Sequence, residues 1–70
     1  MNELIFEVTE EGDGGYVAEC LTEAIITQGD TWSEVRENVQ EAVSAYFFDK
    51  LQKPSRIRLH LSKDEVMALP

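Results

Sequence analysis

One stretch of this chain, residues 32–51, has the pattern of an amphipathic α-helix, and it constrains the fold more than any other feature. Thr31 and Glu34 form a capping box: Thr31 accepts a hydrogen bond from the backbone N–H of Glu34, and the Glu34 carboxylate reaches back to Thr31. Because Pro54 disfavours helical geometry at the residue before it, the helix is predicted to end at about Leu51. The apolar stripe consists of Trp32, Val35, Val39, Ala42, Val43, Tyr46 and Phe47. In a chain of 70 residues this stripe must pack on a single thin core.

Four other segments alternate apolar and polar side chains, as strands with one buried face do. They are predicted at about residues 3–10, 15–20, 25–28 and 56–61. A second capping box, at Ser62 and Glu65, predicts a short C-terminal helix over residues 63–69, with Leu61 and Val66 as its hydrophobic staple. The sequence therefore predicts one α+β domain, residues 1–70, with a small three- to four-stranded, antiparallel-rich sheet. The element order is β-β-β-α-β, and the long helix packs on one face of the sheet.

The register of the first hairpin follows from its apolar residues. The glycine-rich segment Gly12–Gly15 supplies the backbone conformations that a chain reversal needs. Phe6 and Val8 must lie beside Ala18 and Cys20 if both strands are to bury one face. A two-residue turn would slip the pairing by one residue and turn a whole face outward. We therefore expect a loop of three or more residues.

Charge and cysteine content limit the classes of function. Fourteen acidic residues against six basic ones give a net charge of −8, which repels phosphate backbones and favours encounter with basic proteins. Nucleic acid and membrane are therefore not expected as direct partners. The single cysteine, Cys20, cannot form an internal disulfide, and no Cys/His pairs have zinc-site spacing. With no apolar run that resembles a signal or a membrane span, the chain is expected to be soluble and cytoplasmic.

Few residues are candidates for catalysis. Glu3, Glu7 and Glu19 alternate outward on neighbouring strands and are the best candidates for holding Mg²⁺, but a solvated polar face is the simpler interpretation. His60 has no Ser or Cys nucleophile at a recognisable spacing. Cys20 shares a face with apolar residues and is predicted to pack as a small buried side chain. We expect no catalytic residue, no metal ligand and no cofactor.

Two sets of residues are candidates for protein contacts instead. On the helical wheel Phe48 falls on the acidic face, where an apolar side chain of an isolated monomer would be exposed. The predicted partner-binding residues are Glu34, Glu37, Glu41 and Phe48. Apolar side chains also fall on the sheet face opposite the helix, as expected for a homodimer or a higher oligomer. The predicted oligomer interface consists of Ile5, Val17 and Leu21.

Three segments together resemble the signature of the HicB-like antitoxins: residues 11–20, residues 27–35 and residues 38–42. In that family a glycine-rich hairpin leads into Tyr-Val-Ala, Gly-Asp-Thr opens the helix, and Glu-Ala recurs within it. The match covers roughly the first fifty residues. The resemblance implies a trimmed ribonuclease H-like fold. Many members also carry a C-terminal DNA-binding domain, but no complete helix-turn-helix fits after Leu61, so no operator binding is expected.

The resemblance also implies a function, which is neutralising a HicA-type toxin. Such toxins are small, basic, RNA-cleaving proteins, and the antitoxin occludes their active face. The alternative is an orphan oligomeric HicB-like module that binds another protein or a small ligand. A third hypothesis, a metal-dependent nuclease, has weaker support because the strands carry glutamates rather than a convergent set of aspartates.

Overall fold

The computed structural model describes residues 2–70, which form four strands and one helix. The strands are β1 (Glu3–Glu10), β2 (Tyr16–Cys20), β3 (Ile26–Gly29) and β4 (Arg56–Ser62), and the helix is α1 (Trp32–Tyr46). The strands form one mixed sheet in the order β3-β2-β1-β4, and α1 packs on one of its faces, mainly over β3 and β2. The predicted α+β fold with a β-β-β-α-β order is confirmed.

The β1–β2 hairpin has the predicted register. The antiparallel pairing sets Phe6 opposite Cys20 and Val8 opposite Ala18, and all four side chains are buried. The connecting loop, residues 11–15, is longer than a two-residue turn. It contains Gly14 at a φ of +96°, a conformation that side chains other than glycine rarely adopt. Loop length and register therefore agree, because the longer loop keeps one face of both strands in the core.

The start of α1 follows the capping pattern with one difference. The Thr31 side chain accepts a hydrogen bond from the Glu34 backbone N–H at 3.0 Å, as predicted. The Glu34 carboxylate, however, accepts from the backbone N–H of Asp30 at 3.2 Å rather than from that of Thr31.

The third strand, β3, begins one residue later than predicted, at Ile26 instead of at Ile25. The side chain of Ile25 is buried just before the strand.

β3 approaches the first turn of α1 so closely that only glycine fits at its end. A Cβ atom built on Gly29 would lie 2.5 Å from the backbone nitrogen of Val35. One turn later, the Asn38 side-chain amide donates a hydrogen bond to the backbone oxygen of Gln28 at 2.6 Å. These contacts hold the helix against an edge strand of the sheet.

The core lies between α1 and the inner face of the sheet, and apart from Ile25 its members are those that the helical and strand periodicities predict. The helix contributes Val35, Val39 and Val43, followed by Phe47, all of them buried. The sheet side contributes Leu4, Phe6, Val8, Ala18 and Cys20, and Ile25 closes one end. Trp32 and Tyr46 pack partly buried against this cluster. Cys20 is a buried free thiol, as predicted.

The helix ends at Tyr46, so its predicted end near Leu51 was wrong. Phe47 caps the helix through its N–H, and a turn follows. The stripe that holds α1 to the sheet stops at this point, because Phe48 and Leu51 are 81% and 102% exposed and contribute no packing to continue the helix.

No helix among the described residues has the length and apolar composition that a membrane span needs.

The C-terminal helix predicted over residues 63–69 is absent. Residues 63–70 have neither helix nor strand, and Val66, the intended staple partner of Leu61, is 95% exposed. Two turns of helix are too short to be stable in water unless they pack on a neighbour, and this segment packs on none within the described chain. The segment before it, β4, pairs in parallel with β1 and forms an edge of the sheet.

Candidate interaction surfaces

The face of the sheet that α1 leaves uncovered is called the open face here. Because side chains alternate along a strand, it carries every second residue of each strand. These residues are Glu3, Ile5, Glu7 and Thr9 of β1, Val17 and Glu19 of β2, Ile26 and Gln28 of β3, and Arg56, Arg58, His60 and Ser62 of β4. The open face is therefore mixed: it has acidic, basic and apolar parts.

At one end of β1, the Glu3 carboxylate binds two arginines of β4. The Nε atom of Arg58 donates to Glu3 Oε1 at 3.1 Å, and its Nη2 atom donates to Oε2 at 3.2 Å. The Nε atom of Arg56 lies 2.9 Å from Glu3 Oε2. The hydrogen bond from Arg58, supported by both positive charges, lowers the pKa of Glu3 below its ordinary value. One carboxylate thus faces two guanidinium groups, and positive charge is left over at this edge.

Further along β1, two more carboxylates pair with β4 and with the residue after it. Glu7 Oε2 lies 3.0 Å from His60 Nδ1, and Ser62 donates a hydrogen bond to the other oxygen of Glu7. Both contacts lower the pKa of Glu7 below its ordinary value, and the hydrogen bond from Ser62 has the larger effect. Lys63 Nζ lies 3.9 Å from Glu10. The contacts of Glu3, Glu7 and Glu10 with β4 and Lys63 are called the ion ladder below, and they run along the whole β1–β4 seam.

The ion ladder changes the interpretation of the strand glutamates. Glu3 is held by two arginines of β4, and Glu7 by His60 and Ser62 of the same strand, so neither carboxylate is free to converge on a metal ion with Glu19. Glu19 lies directly opposite Glu7 across the β1–β2 pair and remains exposed. Among residues 2–70, no three His, Cys, Asp or Glu side chains come together at metal-ligand spacing.

Away from the β1–β4 seam, the open face carries several apolar side chains among the polar residues Thr9, Glu19 and Gln28. Ile5 is 36% exposed, Val17 is partly exposed, and Leu21 is 61% exposed beside Ile5, whose backbone oxygen accepts its N–H. The predicted interface residues thus lie on the same side of the sheet. Ile26, 66% exposed and opposite Glu19, extends the patch onto β3. We call Ile5, Val17, Leu21 and Ile26 the open-face patch.

The predicted partner-binding glutamates lie on the other side of the molecule. Glu34, Glu37 and Glu41 are all exposed on the outer face of α1, and within the described chain none of them forms an ion pair. We call these three residues the acidic helix face. Phe48 lies beyond the helix, in the turn after it, and so does not share the regular helical face that its position on the wheel predicted. Its ring is nevertheless 81% exposed.

A groove of about 560 Å³ separates α1 from β4. It exists because the helix packs mainly over β3 and β2 and leaves the β4 side of the inner face only partly covered. Val39 and Val43 of α1 face Ile57 and Leu59 of β4 across it, and both β4 side chains are partly exposed. Arg36 lines the groove from the helix and forms no ion pair in the described chain. We call this feature the α1–β4 groove.

Comparison with known proteins places the chain in a family. No protein-family profile and no solved structure matches it. A curated protein from Thermotoga maritima, described as a UPF0150 protein, is 34% identical to this chain over 67 residues, which cover 96% of this chain and 93% of the relative. The chain belongs to the UPF0150 family. Because the match extends over almost the whole of both proteins, it includes the strands, the helix and most of the C-terminal segment.

Two features of this UPF0150 chain were not predicted from its sequence. The first is the pairing of β4 with β1. The sequence predicts that β4 has a cationic face, but it does not predict which strand lies beside β4. The second is Ile26: the adjacent pair Ile25-Ile26 does not show which side chain faces the core. The pairing of β3 with β2 resolves this: Ile26 lies opposite Glu19, which points to the open face, so Ile26 points to the open face as well.

The lowered pKa values in the ion ladder predict a dependence of stability on pH. A carboxylate whose folded pKa is depressed contributes stability that is present above its ordinary value, here 4.5, and is lost as the pH falls through the folded value. Between about pH 5 and about pH 3, the urea midpoint of the wild type should therefore fall further than that of a Glu3→Gln/Glu7→Gln variant. The same fall in both proteins would show that the ladder does not couple folding to pH.

Proposed function

We propose that this UPF0150 protein is a cytoplasmic, antitoxin-like binding protein that neutralises a small, basic, HicA-type RNA-cleaving toxin by covering its active face. The resemblance of its hairpin, helix start and helix interior to the HicB-like antitoxins supports this proposal, and so does its fold. The observation that carries it is the distribution of charge. The acids of β1 pair with side chains of β4 and with Lys63, whereas the three glutamates of the acidic helix face are exposed and form no ion pair within the described chain.

Electrostatics explain why this face suits such a partner. A protein that grips RNA must display Lys and Arg to the phosphates, and an acidic surface both attracts those side chains and occupies their place. Glu37 and Glu41 lie one helical turn apart and repel each other, a cost that basic side chains of a partner would relieve. The exposed ring of Phe48, in the turn after α1, offers an apolar anchor for a partner. Inhibition by occlusion requires no cofactor and no catalytic residue in this chain.

The alternative, an orphan oligomeric module that binds another protein or a small ligand, has its own support. The open-face patch is a set of four exposed or partly exposed apolar side chains, interrupted by Glu19, on a face that no element of the described chain covers. Surfaces of this kind often mark contacts between proteins. This alternative uses the open-face patch and leaves the acidic helix face without a role.

Titration of the purified protein with a HicA-type toxin separates the two proposals. We expect a complex of defined stoichiometry, whose association slows as salt screens the charges, together with loss of RNA cleavage when the toxin is saturated. A complex that leaves RNA cleavage intact would contradict occlusion. The absence of any complex at low salt would favour the orphan module.

A further inference from the structure

The C-terminal segment and the α1–β4 groove have complementary surfaces. After β4, residues 63–70 leave the body of the protein. With this segment included, the molecule measures 57 Å along its longest axis and 20 and 17 Å along the other two. Val66, Met67 and Leu69 are 95%, 76% and 92% exposed in this segment. Three large apolar side chains in so short a segment are costly to leave in water. The groove, meanwhile, has an apolar floor that α1 does not cover.

We propose that residues 64–69 dock along β4 of a second copy of this chain, filling its α1–β4 groove, and that the second copy returns the same contact. β4 is an edge strand, so one row of its backbone N–H and C=O groups has no partner in the described sheet. An extended segment of the partner copy can pair with that edge, as in other cases of strand addition.

The order of residues in the segment fits this arrangement. In an extended chain Glu65, Met67 and Leu69 project to one side, and Asp64 and Val66 project to the other. The first side suits the groove, where the two apolar side chains meet its floor and Glu65 reaches the unpaired guanidinium of Arg36. The second side suits the open face beside β4.

Charge complementarity on the open face supports the same partner. Arg56 and Arg58 both bind the single carboxylate of Glu3, so that this edge carries surplus positive charge in a protein whose net charge is −8. The acidic segment of a second copy, which carries Asp64 and Glu65, is attracted to this edge. The acidic, apolar segment of one copy thus contacts the basic, apolar edge of the other. In a two-fold symmetric dimer this contact is formed twice, once by each copy's segment.

Return of the segment to its own groove is disfavoured by the turn that it would need. To lie antiparallel to β4, the chain would have to reverse immediately after Ser62, within Lys63-Asp64-Glu65. Two-residue hairpin turns almost always include a glycine at a position of positive φ, and this stretch contains none. A second copy receives the segment without any reversal.

Sedimentation or light scattering of the full chain tests the proposal. We expect a dimer at micromolar concentration that Met67→Asp weakens by about tenfold or more, because the charge would be buried in the groove. The matched control is Leu51→Asp, which makes the same change at another exposed leucine-sized side chain and should leave dimerisation unchanged. Circular dichroism should show both variants folded.

A charge exchange tests the register. Arg36→Glu should weaken the dimer, and the double variant Arg36→Glu/Glu65→Arg should restore it. A wild-type monomer at high micromolar concentration would overturn the proposal. So would a dimer that Met67→Asp and Leu51→Asp affect equally, since the contact would then lie elsewhere, for example on the open-face patch. The toxin plays no part in this measurement, so its result is independent of the proposed function.

Discussion

Replacing Gly29 by alanine is expected to unfold the domain or to remove most of its stability. The added Cβ would lie 2.5 Å from the nitrogen and 2.8 Å from the Cα atom of Val35, and 3.0 Å from the backbone carbon of Glu34. All three contacts are with backbone, so no side-chain rotation relieves them, and β3 and α1 must move apart. Overpacking typically costs about 1 to 3 kcal/mol, and more where the structure cannot relax. The total stability expected for a domain of this length is roughly 4 to 10 kcal/mol.

Urea unfolding followed by circular dichroism measures the effect, and Gly12→Ala is the matched control. A Cβ on Gly12 meets nothing within 4 Å, so this variant should unfold close to the wild-type midpoint. Equal midpoints for the two variants would mean that β3 and α1 do not approach as closely as described. Because α1 carries both the acidic helix face and one wall of the α1–β4 groove, the result also bears on both proposed contacts.

Reversing Glu37 and Glu41 to lysine is expected to slow association with a HicA-type toxin by about tenfold or more at low salt. The four-unit change in charge removes the attraction between the acidic helix face and the basic partner. Binding that remains should depend less on salt than binding of the wild type. The variant should stay folded, since both side chains are exposed and one repelling pair replaces another. Stopped-flow association at several salt concentrations measures both effects.

Glu11→Lys/Glu19→Lys is the control for this reversal, because it makes the same change in net charge away from α1. Glu11 is exposed in the hairpin loop, and Glu19 is exposed on the open face. Equal slowing by the two double variants would show that overall charge, rather than the acidic helix face, steers association. If neither slows it, the contact is an edge strand, and a proline placed in that edge should abolish binding instead.

The sequence predicted those parts of the fold that short-range patterns determine. The capping residues located the start of α1, and the helical stripe identified the side chains that α1 buries. The need to bury one face set the hairpin register, with Phe6 opposite Cys20. In each case a small shift would expose a whole apolar face, so few alternatives compete.

The remaining features depend on contacts between distant parts of the chain. Nothing local shows that β4 pairs in parallel with β1, so the ion ladder and the α1–β4 groove could not be predicted. The end of α1 was misplaced because Pro54 sets only an outer limit, whereas the loss of buried partners after Phe47 sets the actual end. Capping residues at Ser62 and Glu65 likewise do not make a helix where there is no surface to pack on.

The same division holds for the candidate sites. Helical spacing alone grouped Glu34, Glu37 and Glu41, and strand alternation grouped Ile5 with Val17. Phe48 was assigned to the helix surface only because the helix was predicted to continue to Leu51, whereas it ends at Tyr46. Ile26 was missed because its orientation depends on its pairing with β2.

The central claim, that this UPF0150 protein neutralises a small basic RNA-cleaving toxin, is tested most directly by coexpression with a HicA-type toxin, chosen as a short basic reading frame beside its own gene. We predict that the toxin alone stops growth, that coexpression restores growth, and that the two proteins copurify. The Glu37→Lys/Glu41→Lys variant should rescue growth less well than the Glu11→Lys/Glu19→Lys control. Failure to copurify together with failure to rescue growth, or the absence of any such neighbouring reading frame, would contradict the claim and favour the orphan binding module.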